Sequence, residues 1–348
     1  FLVTLFVTLK IGLIAGITAG VLVTFIIHVI VNKGIAFFLR NILKPNVLMF
    51  KEEIGSPTYY VSVKHFCSFL NYNKLKHKLD AIPEDKDAVV DFSLCEFVDH
   101  TVMENLNNYQ ELFLKRGGHF EVVGLDMHDT DSLHPFALRR LLPVPNIFKS
   151  NLTRRQTNLE ALAKNYTLYY SATKRKETHF LDNFTFFNTK KINYIYNQLS
   201  NDLEDMILFD IEFSEGEFIA REVIRTTMLH IALNKRIPQF TLDKEGFLEK
   251  VYGFAGFKDL PLKEYSDFSK RFYLLGDDES AIKSFFNKDL VQFFESNPYY
   301  HIESNGNSIL LYSKERLASN KEVKAMLNFG KRLQVVILKS ISFNTKYS

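Results

Sequence analysis

The sequence predicts an α/β domain after a transmembrane helical segment, followed by an α+β C-terminal domain. Three observations carry that reading. Residues Ile11 to Val31 form an apolar run without a single Asp, Glu, Lys or Arg. Residues 46–145 alternate short apolar strands with amphipathic helices, the order that builds a partly parallel sheet. The remainder mixes strand-like runs with Phe-rich helical ones in no such order.

At ~1.5 Å per helical residue the apolar run reaches about 30 Å, the thickness of a bilayer's hydrocarbon core. Phe1 to Leu9 is apolar but too short to cross alone, and Lys10 separates it from the run. Residues 1–32 are therefore expected to be the end of a transmembrane domain, a terminal helical hairpin whose earlier helices precede Phe1. Gly12, Gly16 and Gly20 recur every four residues, a small-residue stripe that lets another helix pack closely. Lys33, Arg40 and Lys44 come next, with apolar residues between them, so residues 33–45 read as an interfacial linker. Basic residues directly after a span place the soluble body on the cytoplasmic side.

In residues 46–145, Tyr59 to Val63 alternates like a strand, and Leu70, Leu75 and Leu79 then fall at helical spacing. Pro83-Glu84-Asp85 breaks that helix, and Ala88 to Phe92 is a buried-type strand. Val102, Leu106, Tyr109 and Phe113 mark a helix over Thr101 to Lys115, stopped by Gly117-Gly118, before a strand over His119 to Leu125. Leu152 to Asn165 looks helical, and charged residues come after it, so 146–185 reads as a linker helix and charged linker. Residues 186–348 form the α+β domain. Its strands are expected at Ile207 to Phe213 and Phe272 to Gly276, with one helix over Ala281 to Phe294 and a hairpin around Asn305-Gly306. Ala220 to Asn234 fits strand or helix, and Lys244 to Tyr252 fits a helix.

Composition narrows the function classes. With 43 basic and 40 acidic residues interspersed, the net charge is only +3, and no basic stripe suggests nucleic acid. Two cysteines, Cys67 and Cys95, are too few for a disulfide scaffold and read as small buried apolar residues. The sequons at Asn151, Asn165 and Asn183 carry no meaning in a cytoplasmic domain. No dinucleotide, Walker, zinc-protease or nucleophile-elbow motif occurs, so neither enzyme activity nor a cofactor is expected. Asp126, His128, Asp129, Asp131 and His134 crowd one loop after a strand, where carboxylates and imidazoles could hold a ligand or divalent metal. No fixed metal-ligand spacing is met, and Asp, Ser and Pro are equally what a solvated turn needs.

Two stretches, Ala88 to Leu106 and Leu114 to Leu125, resemble the STAS domain of sulfate transporters and anti-sigma-factor antagonists. An apolar strand leads to Asp91-Phe92-Ser93, and an apolar residue, Val98, precedes Asp99-His100-Thr101 at a helix start. Such a domain directly after an apolar terminal helix is similar to the C-terminal part of SulP-type inorganic anion permeases. The resemblance implies that Asp99, His100 and Thr101 form the domain's regulatory loop. In the antagonists a phosphorylated serine comes directly after the Asp, and His100 stands there in this chain. It also implies a multi-pass protein of the inner (plasma) membrane with cytoplasmic soluble domains. Its expected partners are the lipid bilayer, its own upstream transmembrane domain and a second copy in a homodimer. The anion, sulfate or bicarbonate-like, would bind only in the missing upstream region. The alternative is a membrane-tethered STAS signalling or interaction module that transports nothing.

Overall fold

The computed structural model describes residues 2–31, 47–52, 58–130, 132, 134–141, 152–201, 203, 205–216, 222–244, 258–262 and 264–344. The interfacial linker 33–45 and the helix expected over Lys244 to Tyr252 lie outside them, save for Lys244 itself. Two compact units divide at Asn151 and Leu152.

The chain begins with two packed helices, α1 (Leu2–Lys10) and α2 (Leu13–Val31). Ile11 and Gly12 form the turn between them, so α2 starts two residues later than the apolar run. A Cβ on Gly16 or Gly20 would overlap the hydroxyl of Thr8 or Thr4 in α1, so these glycines set the helix separation, whereas Gly12 meets nothing. The outward faces carry Leu2, Phe6, Leu9, Ile14, Ile17 and Val21, all exposed. Thr18 and Thr24 return their hydroxyls to the carbonyls of Ile14 and Gly20, at 2.9 and 2.8 Å, so these two groups do not need water. Among the described residues no helix is long and apolar enough to cross a membrane.

The rest of the first unit is a mixed sheet. Strand β1 (Val47–Glu52) is antiparallel to β2 (Thr58–Cys67), and β2, β3 (Asp87–Val98) and β4 (His119–Val123) run parallel. Helices α3 (Tyr72–Asp80) and α4 (His100–Lys115) make the crossovers that parallel neighbours require. They bury Leu75, Leu79, Val102, Leu106 and Phe113 with Val61, Val63, Val90 and Phe92 in one core. Two short strands, β5 (Asp129–Thr130) and β6 (Arg139–Arg140), pair with each other, and β6 caps the far end of β3 at Phe97 and Val98. Both cysteines are free and buried, and burial pushes the Cys95 thiol up to about 12.

The second unit is built on a nine-stranded sheet in the order β12-β13-β11-β14-β15-β10-β9-β8-β7. These strands are β7 (Tyr169–Ser171), β8 (Lys190–Ser200), β9 (Met206–Glu215), β10 (Glu222–Ala232), β11 (Phe240–Asp243), β12 (Lys258–Asp259), β13 (Tyr273–Gly276), β14 (His301–Ser304) and β15 (Ser308–Tyr312). Residues on alternate sides of β9 enter two cores. Leu208 joins a core with α5 (Arg154–Asn165), α6 (Ser266–Arg271), α7 (Glu279–Phe285), α8 (Lys288–Glu295) and α9 (Asn320–Asn344). Phe209 and Ile211 join a second core with Leu181, Phe184, Phe186 and Phe187.

Two expectations need correction here. Residues 152–185 are not a linker. Leu159 and Ala163 are core residues, and Arg175 exchanges two 2.8 Å backbone hydrogen bonds with Ile195. The apolar side chains of this segment complete both cores, so the second unit starts at Leu152 rather than 186. The single helix expected over Ala281 to Phe294 is two helices, because Asn287 turns extended and its side chain caps α8 through Leu290 N–H at 3.1 Å.

Helix α9 starts with a reciprocal cap. Glu322 accepts the N–H of Ser319 at 2.8 Å, while Ser319 Oγ accepts the N–H of Glu322. Arg316 adds a bidentate pair to the same carboxylate. Burial pushes the Glu322 carboxyl up, but the Arg316 bonds outweigh it and hold the group at about 2, below the ordinary 4.5. Its stabilisation is therefore complete above pH 4.5 and is lost as pH falls towards 2, worth up to about 3 kcal/mol. Glu322→Gln should remove that part of the acid dependence, read as a flatter plot of urea midpoint against pH between 5 and 2.5.

Candidate functional site

Strand β3 delivers the first unit's most organised loop. Its buried apolar run ends at Val98, and Asp99 then turns extended and caps α4. One carboxylate oxygen accepts the Val102 N–H at 2.9 Å, and the other accepts the Phe69 N–H at 2.6 Å. Asp99 N–H also donates to the Cys67 carbonyl at 3.1 Å. One side chain thus ties the β3–α4 loop to the β2–α3 loop, with its negative charge at the favourable end of α4. Just before, β2 and β3 slip register at Lys64 to Phe66, and His65 takes a φ of 66°. That irregularity turns the end of β2 and leaves Phe69 and Leu70 exposed.

His100 is the first helical residue after this cap and is exposed. Its Nδ1 lies 2.7 Å from the Phe136 carbonyl, which can only accept, so Nδ1 carries the proton. His134 does the opposite. Its Nδ1 accepts the Phe136 N–H at 3.1 Å, so the neutral ring keeps its proton on Nε2. The two imidazoles sit 5.5 Å apart between centroids, with the Phe136 ring beside both. Thr101 is exposed on the next position, its carbonyl taken by the Asn105 side chain at 2.7 Å.

The acidic loop does not close on one point. His128 is 3% exposed, with Nε2 2.7 Å from the Cys95 carbonyl, so its ring anchors the loop to β3. Asp129 begins β5 opposite Arg140. Asp126 supports the charge of Arg139, whose burial pushes its pKa down. His134 joins His100 instead, and Asp131 lies outside the described residues. Among the described residues no three His, Cys, Asp or Glu side chains gather as a metal cage. Asp99, His100, His134 and Phe136 thus form a hydrogen-bonded cluster with aromatic and imidazole edges. Nothing in the sequence linked His100 to His134, which are brought together only by the β5–β6 turn.

Two buried polar networks in the second unit escaped sequence reading. Arg155 and Asp210, each 1% exposed at the side chain, form an ion pair at 2.6 Å. Thr227 Oγ and Asn197 Nδ2 also donate to Asp210, at 2.6 and 2.9 Å, and Gln156 donates to Asn197. Elsewhere Asp243 accepts His301 Nδ1 at 2.8 Å and the Tyr299 hydroxyl. Glu303 accepts the N–H groups of Thr185 and Phe186. These carboxylates spend their oxygens on the protein itself, which is the behaviour of structural ties.

No family model and no curated protein matches the chain. A solved structure similar to it is the crystal structure of the mycobacterial trehalose monomycolate transport factor A, at 10% identity and a TM-score of 0.37. That likeness covers 52% of this chain and 93% of the other.

Proposed function

We propose that the chain is the C-terminal part of a SulP-type inorganic anion transporter, with a STAS-type domain at residues 46–145 serving cytoplasmic regulation and assembly. The observation that carries this reading is the Asp99 cap. A single carboxylate fixes the loop between a buried parallel strand and a 16-residue helix, at the place where the resemblance puts a regulatory loop. The order of elements supports it as well. An antiparallel edge strand is followed by parallel strands joined through α3 and α4, and the two apolar helices come before them. The exposed apolar faces of α1 and α2, with the Thr18 and Thr24 hydroxyls already satisfied, suit a hydrocarbon surrounding. Sulfate or a bicarbonate-like anion would then be bound by a membrane region outside these residues, between half-helices whose N-termini attract it. Lipid, that membrane region and a second copy are the partners of this reading.

Deleting Tyr59 to Pro145 from the full-length protein should cut radiolabelled sulfate or bicarbonate uptake, or dimer recovery after crosslinking, by at least about ten-fold at equal membrane abundance. Uptake and crosslinking equal to the intact protein would overturn the assignment.

A further inference from the structure

Residues His179 to Phe187 lie on the second core of the nine-stranded sheet as two short 3-10 turns, His179–Leu181 and Thr185–Phe187. Leu181, Phe184, Phe186 and Phe187 are buried there with Phe209, Met228 and Leu310. At one end, the His230 ring sits beneath Phe180 and Phe184, edge to face, with centroids 4.9 and 6.1 Å away. His230 is buried on β10, and its Nδ1 has no hydrogen-bond partner. At the other end, Glu303 on β14 accepts two successive backbone N–H groups of the segment, from Thr185 and Phe186. The segment is therefore held by a polar anchor and by a ring that fits only while uncharged.

We propose that residues 179–187 are an acid-released strap, latched by the neutral His230 ring under Phe180 and Phe184 and anchored by Glu303. A proton on His230 would place a charge among phenylalanine rings with no acceptor at hand, and the cheapest relief is to lift the rings away. The cross-strand neighbours of His230 are Ile207 and Leu310, and burial alone lowers its pKa, to about 4 from 6.5. On the strap itself, the exposed His179 and Asp182 face each other at 3.2 Å. Around Glu303 stand His301, Asp243 and Tyr312, while Lys190 lies 4.4 Å over the Phe186 ring and 3.4 Å from Glu215.

The two ends respond to acid in opposite senses. His230 favours the closed strap fully above pH 6.5 and loses that contribution as pH falls towards 4. The Glu303 carboxyl is raised by burial, against the pull of His301 and the strap amides, so its contribution is present below 4.5 and fades as pH rises through its raised value. Acid thus frees the Phe180–Phe184 end and leaves the anchor in place. Opening there uncovers Phe209 and Met228, an apolar surface that neutral pH keeps hidden.

The chain contains no Trp, so Phe180→Trp gives a single reporter in the strap. In the full chain in detergent, its emission should shift red and reversibly between pH 6.5 and 4, with unchanged far-ultraviolet circular dichroism. Adding His230→Phe should abolish the shift. In the chain without the reporter, exchange of the Leu181 and Phe184 amides, corrected for intrinsic rate, should be roughly 25-fold faster at pH 5 than at pH 7.5, while the anchored Thr185 and Phe186 amides stay protected. Exchange that is equally protected at both pH values, or a red shift that persists with His230→Phe, would overturn the strap.

Discussion

Replacing Asp210 with Ala should destabilise the second unit by about 3–5 kcal/mol. The reason is the charge left behind. Arg155 is as buried as Asp210, and its guanidinium also donates to the Ala318 carbonyl at 3.1 Å, so it cannot swing out to water. Removing the carboxylate leaves a full charge in the core and releases the donors on Thr227 and Asn197. Asp210→Asn keeps the shape and much of the hydrogen bonding but not the charge. It should therefore lie close to the Ala variant rather than to the wild type. Urea unfolding of the full chain, followed by circular dichroism and by protease sensitivity beyond Leu152, measures both. An Asn variant as stable as the wild type would show that hydrogen bonding, and not charge compensation, holds the network.

The same network shows why parts of the fold were hard to read. The segment KKINYIYNQLS forms the eleven-residue β8, yet its pattern does not alternate. Two register shifts interrupt it, and Asn197 takes a φ of 49° so that its side chain reaches Asp210. A strand bent around a buried carboxylate loses the period that reveals strands. Arg155 and Gln156 misled in the opposite way. They look like the wet face of a linker helix and are in fact buried against the sheet. Helix α9 was not anticipated, although Ser319 and Glu322 stand at capping-box spacing just where it starts. In the first unit the three parallel strands and the two crossover helices were legible from their apolar runs and apolar helix faces, whereas β1, β5 and β6 were not anticipated. The cap at Asp99 was legible because helix starts obey local rules. The contact of His100 with His134 was not, since tertiary closure of a loop has no local pattern.

Replacing Gly124 with Ala should cost more than about 3 kcal/mol and should damage the candidate site without touching it. Gly124 comes directly after β4 with a φ of +83°, a conformation that L side chains resist by about 1–2 kcal/mol. A Cβ there would also overlap the backbone of Phe92 and Ser93 in β3, which cannot swing aside as a side chain can. Gly117 supplies the control. It has nearly the same φ, +84°, with nothing near its missing Cβ, so Gly117→Ala carries the conformational cost alone, about 1 kcal/mol. The difference between the two variants isolates the backbone contact. Because β3 continues from Ser93 to Val98, directly before Asp99, forcing it away from Gly124 should also slacken the loop that Asp99 closes. Amide exchange at Phe69 and Val102, the two donors to that carboxylate, should rise in Gly124→Ala and stay unchanged in Gly117→Ala. Equal stability losses in the two variants would mean that β3 and β4 part without strain, and that the rigidity of the Asp99 loop is set by the loop alone.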